Sequence, residues 1–178
     1  MELRTEEAKI IILSGKARSG KDTSMQIIKK KYESLSKKVI CLFYASYIKE
    51  YAKRISDWDG NDETKPRTLL QVLGTDIIRN TIDNKFFINR TIEDIKVYSK
   101  FFDVIIIGDA RFPEEIEDIK KVFSNVVSVH ITRKDMNILT ETEKQHITET
   151  ALDNYKEYDY VINNDGSIEE LESKLSEI

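Results

Sequence analysis

The apolar run Ile10-Ile11-Ile12-Leu13 leads directly into Ser14-Gly15-Lys16-Ala17-Arg18-Ser19-Gly20-Lys21-Asp22-Thr23, and a helix-periodic stretch follows. A strand, a glycine-spaced loop and a helix in immediate succession leave the chain little choice of architecture. The helix start presents unpaired backbone N–H groups that can cradle phosphate oxygens, and Lys21 adds a positive charge. Gly15 and Gly20 permit backbone angles that a Cβ opposes, so the loop can wrap closely around a di- or triphosphate. Asp22 stands where G-x-x-x-x-G-K loops usually carry Ser or Thr, and Thr23 comes one place later. Magnesium ligation through Asp22 and Thr23 is therefore the least settled part of the motif. The bland alternative makes Lys16, Arg18 and Lys21 surface charges around a turn, with Asp22 a first-turn acid favoured by the helix dipole.

Five apolar or β-branched runs alternate with helical patterns: Lys9 to Leu13, Lys38 to Tyr44, Asp103 to Ile107, Asn125 to Thr132 and Tyr158 to Ile162. Parallel strands need long crossovers, and helices near 21 to 35, 66 to 83, 86 to 100, 113 to 123 and 167 to 177 would supply them on both sheet faces. The expected fold is a three-layer α/β/α arrangement around a five-stranded parallel sheet. With 178 residues and no Pro- or Gly-rich linker, one domain is expected over residues 1–178, with an insert at 46–100 and a short charged lid at 133–147. A net charge of -4 gives no general attraction to nucleic acid, so phosphate binding must be local. The aliphatic runs are too short to span a bilayer and the acidic start is unlike a secretory signal, which together point to a cytoplasmic protein with no membrane partner. Cys41, the single cysteine, sits between Ile40 and Leu42 and reads as a buried apolar residue.

The third run continues as Ile107-Gly108-Asp109-Ala110-Arg111, placing an acid and a cation just past a strand end. Asp109 suits a second magnesium-side group, direct or through water. Ala110 follows, where many motor and transport ATPases place a Glu to orient water, and no guanine-reading Asn-Lys-x-Asp motif occurs, so transfer to a bound acceptor is favoured over hydrolysis. Arg67, Arg79, Arg90, Arg111 and Arg133 are candidates to clamp an anionic acceptor or the transferring group, since a planar guanidinium offers paired hydrogen bonds. On helices, such arginines also pair simply with nearby acids, as Arg90 would with Glu93 and Asp94. His146 would orient a phosphate or cap a helix, and His130 alternates with apolar strand residues as a core or edge group. Trp58, in a polar loop, would either stack on a ligand base or cover apolar surface.

These segments together resemble the phage-type deoxynucleoside monophosphate kinases of the P-loop nucleoside monophosphate kinase superfamily. The resemblance rests on residues 14–23, on Leu70-Gln71-Val72-Leu73-Gly74-Thr75-Asp76, and on Gly108 through Ile116. His146 to Glu149, Leu152-Asp153 and Tyr160 through Gly166 complete it. In that family Asp regularly follows the loop lysine, so Asp22 is a family trait. The resemblance implies transfer of the γ-phosphoryl of ATP, as its magnesium complex, to a (deoxy)nucleoside 5′-monophosphate. Carried onto this chain, Gly15, Lys16, Ala17, Arg18, Ser19, Gly20, Lys21, Asp22 and Thr23 hold the donor phosphates. Arg133 acts from the lid, and Asp109 and Arg111 border the reaction centre. Ser46, Tyr47, Lys49, Arg67, Gln71 and Asp76 line the acceptor, with Arg79 and His146 as further acceptor-side candidates. Asn164 and Gly166 lie under the donor adenine. Ser46-Tyr47 replaces the Asp-Pro usual in that family, which leaves the acceptor's base and sugar open. A homodimer is left open as well. Animal-type phosphomevalonate kinases are similar over the same ends of the chain, but Tyr44, Tyr47, Tyr51 and Trp58 favour a nucleobase over a small isoprenoid phosphate. A module that senses nucleotide without turnover is the non-enzyme alternative, opposed by Lys21, Asp109 and Arg111.

Overall fold

The computed structural model describes residues 3–134 and 147–178. Five parallel strands, β1 (Lys9–Ser14), β2 (Val39–Leu42), β3 (Val104–Ala110), β4 (Val126–Thr132) and β5 (Tyr160–Asn163), form one sheet in the order β2-β3-β1-β4-β5. The register pairs Ile10 with Ile105 of β3 and with Val126 of β4, so β1 lies in the middle. Both its faces are covered, and Ile10, Ile11, Ile12 and Leu13 are fully buried. Such burial explains the unbroken apolar runs that replace alternation in this sheet.

Successive residues of the central strands feed different layers. Ile10, Ile12, Ile105 and Ile107 pack with Phe87, Ile88 and Ile95 of α4 (Phe86–Tyr98) and Ile116 and Ile119 of α5 (Pro113–Val122). On the opposite face, Ile11, Leu13 and Ile106 meet Met25 and Ile28 of α1 (Lys21–Ser34) and Leu171 and Leu175 of α7 (Ile168–Leu175). This is the three-layer arrangement expected from the alternation of runs.

The insert carries α2 (Ala45–Ile55), α3 (Arg67–Gln71) and a π-helical continuation, Val72–Ile82. It has a satellite core of Ala52, Trp58 and Leu73. Trp58 is 9% exposed and its indole N–H donates to the Asn61 carbonyl at 2.9 Å. Trp58 is thus the insert's own core and not a stacking platform. A short helix, α6 (Ile147–Thr150), precedes Leu152 and Tyr155, which pack on the sheet layer. Among the described residues, no helix is long and apolar enough to cross a membrane.

Chain direction decides where a ligand can sit. From β1 the chain crosses to β2 on one side of the sheet, while from β3 it crosses to β4 on the other. The connections leaving the carboxyl ends of β1 and β3 therefore diverge to opposite faces and leave a crevice between them, the position ligands take in open α/β sheets.

Candidate functional site

The loop at the end of β1 is shaped by its sequence. Gly15 has φ +141° and Gly20 φ +98°, values that a side chain resists. A Cβ on Gly15 would collide with the Ile131 carbonyl of β4, and one on Gly20 with the Asn164 amide. Arg18 adopts φ +61°, a left-handed conformation uncommon outside glycine. Asn164 Nδ2 donates to the Ser19 carbonyl at 2.9 Å, buried, so the segment after β5 buttresses the loop from behind. The Ser19 hydroxyl is buried with no partner.

Lys21, only 8% exposed, curls back over the loop and donates to the carbonyls of Gly15 and Lys16, each at 2.7 Å. Its ammonium is held over the loop before any ligand arrives. Burial first, and then the nearby Arg111 guanidinium, pull its pKa down from 10.5 to about 8. A ligand bringing negative charge would reverse that pull.

Across the crevice, Asp109 accepts the backbone N–H groups of Tyr44 at 2.8 Å and Ala45 at 3.0 Å, one on each carboxylate oxygen. These are start-of-helix amides, so β3 caps α2 and fixes the insert relative to the loop. Burial pushes the Asp109 carboxyl up, against the pull of both amides. Glu115 acts similarly one element later. One oxygen accepts Arg79 at 2.8 Å, and the other accepts the N–H groups of Arg111 at 2.7 Å and Phe112 at 3.1 Å. Glu115 is 3% exposed, and burial raises its pKa from 4.5 to about 7. The Arg79 guanidinium also lies over the Phe112 ring, 3.7 Å from its centroid.

These groups surround a cleft of about 620 Å³. Ala17, Arg18, Lys21 and Asp22 form its wall on the side of the loop after β1, with Asp109 and Arg111 at the β3 end. Lys49, Arg67, Gln71 and Arg79 reach it from the insert, as assigned from sequence. Seven cationic side chains (Arg18, Lys21, Lys49, Lys65, Arg67, Arg79, Arg111) face three acidic ones (Asp22, Asp109, Glu115), a local excess in a chain of net charge -4. A low-dielectric hollow lined this way concentrates anions.

Other candidates lie elsewhere. Gly15 and Lys16 line a small hollow behind the loop with His130 and Glu149. Ser46, Thr23, Asp76 and Gly166 are exposed and outside the cleft lining, as is Arg133 just past β4. Tyr47 is tied away from the cleft, its hydroxyl donating to Asp94 at 2.5 Å and its ring stacked on Phe87. Arg90 lies over the Tyr47 and Phe86 rings. His146, with nearly all of the 133–147 lid segment, lies outside the described residues. His130 is half-buried, with its Nδ1 2.9 Å from the Ser14 hydroxyl and its ring stacked on Tyr158, in keeping with an edge residue. Of the four aromatics that favoured a nucleobase, only Tyr44 reaches the cleft; the others there are Phe43, Phe87 and Phe112.

Sequence reasoning gave no role to Glu115 or Glu149. Glu115 had a local signal, the third residue of a helix opened by Phe112-Pro113, where a carboxylate can reach back to the preceding amides. Glu149 had none, because both its partners are remote: it accepts the Ala17 N–H at 2.9 Å and pairs with Arg111.

The sheet order, the loop after β1 and the crevice beside β3 define the P-loop kinase class of α/β folds. Solved structures agree on the fold: the APS kinase of Mycobacterium tuberculosis, in complex with AMPPNP and APS, superposes with a TM-score of 0.59 at 12% identity over 96% of both chains. Shikimate kinase from Bacteroides thetaiotaomicron gives 0.54 at 17% identity over 94% of both. Within that class, the chain belongs to the deoxynucleotide monophosphate kinase family, whose model matches residues 37–175. The deoxynucleotide monophosphate kinase of Escherichia phage RB69 is 35% identical over 119 residues, 66% of this chain and 46% of that protein. That of Enterobacteria phage T4 is 31% identical over 115 residues, 64% and 45% respectively. The chain therefore spans about half the length of the curated relatives it matches.

Proposed function

We propose that this chain transfers the γ-phosphoryl group of ATP to a deoxynucleoside 5′-monophosphate, releasing ADP and the diphosphate. The observation that carries the reading is the single cleft in which Lys21 of the loop and Lys49, Arg67 and Arg79 of the insert face one another, with Arg111 beside them. Family membership supplies the substrate class. The loop amides and Lys21 hold the donor phosphates, while Arg67 and Arg79 clamp the acceptor phosphate. Arg111 neutralises charge on the oxygens of the transferring group, where positioning and electrostatics supply most of the catalysis. Phe43, Phe87 and Phe112 give the acceptor base an apolar wall.

Among the described residues, no three His, Cys, Asp or Glu side chains converge to hold a metal ion. Magnesium, an ion that keeps most of its waters and takes one or two protein carboxylates, would arrive with the donor phosphates. Asp22, exposed at the head of α1 and lining the cleft, would hold it. Asp109, already engaged by two amides, would act through water, and Thr23 lies outside the cleft lining. When bound, the ion draws charge from the donor phosphates.

The test is a coupled ADP-release assay with ATP and magnesium against all ribo- and deoxyribonucleoside monophosphates and phosphomevalonate. ADP release is expected with at least one deoxynucleotide. Silence across the deoxynucleotides would overturn the reading.

A further inference from the structure

Two cations, Lys21 and Arg111, share the donor end of the cleft, and Arg111 is close enough to lower the pKa of Lys21. Without a counter-charge they would push one another out of line. Glu149, Asp22 and Asp109 all counter that effect at Lys21, and of the three Glu149 is the one paired with Arg111. Glu149, on the first turn after the lid segment, has a side chain 11% exposed. One of its oxygens accepts the Ala17 N–H of the phosphate loop at 2.9 Å, and the other takes the Arg111 guanidinium. Its charge opposes that of Arg111 at Lys21. Among the described residues Glu149 is the acidic partner of the Arg111 side chain, while the Arg111 backbone N–H is held by Glu115. A long arginine side chain tied only at its root samples many rotamers, so the placement of its guanidinium depends on Glu149. Next to it, Asp153 pairs with Lys16 at 2.8 Å and fastens the same segment to the loop.

We infer that Glu149 is a positioning residue for phosphoryl transfer, its carboxylate setting the Arg111 guanidinium against the phosphate loop. The inference rests on the donor site proposed above, and it deepens that reading by giving Arg111 a partner in the cleft.

The test is a double-mutant cycle with Glu149→Gln, Arg111→Ala and the combination, each checked by thermal unfolding. Two readouts are taken: kcat and KM with ATP and the best acceptor, and the affinity for inorganic pyrophosphate by calorimetry. Glu149→Gln is expected to lower kcat by roughly tenfold with acceptor KM within about twofold, and to cost less than about twofold once Arg111 is gone. The change in pyrophosphate affinity on Glu149→Gln should likewise differ between the two backgrounds by roughly fivefold or more. Equal effects of Glu149→Gln with and without Arg111 would overturn the inference, as would a loss confined to acceptor KM or a Glu149→Gln chain that does not fold. Coupling in pyrophosphate affinity without turnover of any deoxynucleotide would sink the proposed acceptor and leave Glu149's role standing. Turnover without coupling would do the reverse.

Discussion

Replacing Glu115 by Ala removes one acceptor shared by three donors: the Arg79 side chain and the N–H groups of Arg111 and Phe112. The Arg79 side chain is 15% exposed, so its charge would be left buried and unpaired. Breaking such a pair from one side costs about 3–5 kcal/mol, and the two uncapped amides add to this. We expect a loss on the order of 4 kcal/mol at pH 8, read by urea unfolding through the fluorescence of Trp58 in the insert core. Glu115→Ala with Arg79→Ala should cost less than the two separate losses together, because the stranded charge is gone. The pair is not a simple gain for the wild-type chain, however. Burial raises the folded-state pKa of Glu115 from 4.5 to about 7, so between those values the folded state binds more protons than the unfolded one. Stability from this group is therefore greatest at low pH and falls as pH rises from about 4.5 to 7, by about 3 kcal/mol in all. Glu115→Gln should flatten that part of the profile. A loss below about 1 kcal/mol for Glu115→Ala, with an unchanged pH profile in Glu115→Gln, would refute the view that this carboxylate joins insert to sheet.

Three further substitutions probe the cleft. Arg111→Ala should cost about 3 kcal/mol of transition-state stabilisation, seen as a fall in kcat and in kcat/KM alike; an effect on acceptor KM alone would make Arg111 a ground-state clamp. Asp109→Asn places an amide N–H against one of the two backbone donors it now accepts, Tyr44 and Ala45, and should destabilise by about 1–3 kcal/mol with a raised acceptor KM, measured by urea unfolding and initial rates. Gly20→Ala, at φ +98° and against the Asn164 amide, should lose more than about 1 kcal/mol in unfolding and weaken ATP binding in calorimetry.

The sheet was legible because parallel strands buried on both faces read as continuous apolar runs, and Ile10 to Leu13 and Val104 to Ile107 occupy its centre. The start of α2 was not. Tyr44 gives no side-chain cap, and the amides there are accepted by Asp109 from another strand, so nothing local announces a helix at Ala45. Similarly, the periodicity of residues 66 to 83 gave a helix but not its wider π winding after Gln71. The loop after β1 was visible as a motif and Arg67 and Arg79 as charge placement, whereas Arg90, a third candidate in the insert, lies over the Tyr47 and Phe86 rings. Tyr47 was expected at the acceptor, and Trp58 was left between a ligand base and apolar surface, because an aromatic in a polar neighbourhood looks the same whether it faces a ligand or a satellite core, and only packing separates the two. Glu149 acquires its meaning from Ala17 and Arg111, far away in sequence, which no spacing reveals.

The account stands on the passage of phosphate from the loop to an anion held by the insert. Following label from γ-labelled ATP, with magnesium and each deoxynucleoside monophosphate in turn, tests it most directly, in the native chain beside Lys21→Ala. Label should appear in a deoxynucleoside diphosphate with the native chain, and Lys21→Ala should fold normally and transfer it far more slowly. Label released only as inorganic phosphate, or transferred equally well without Lys21, would contradict the account.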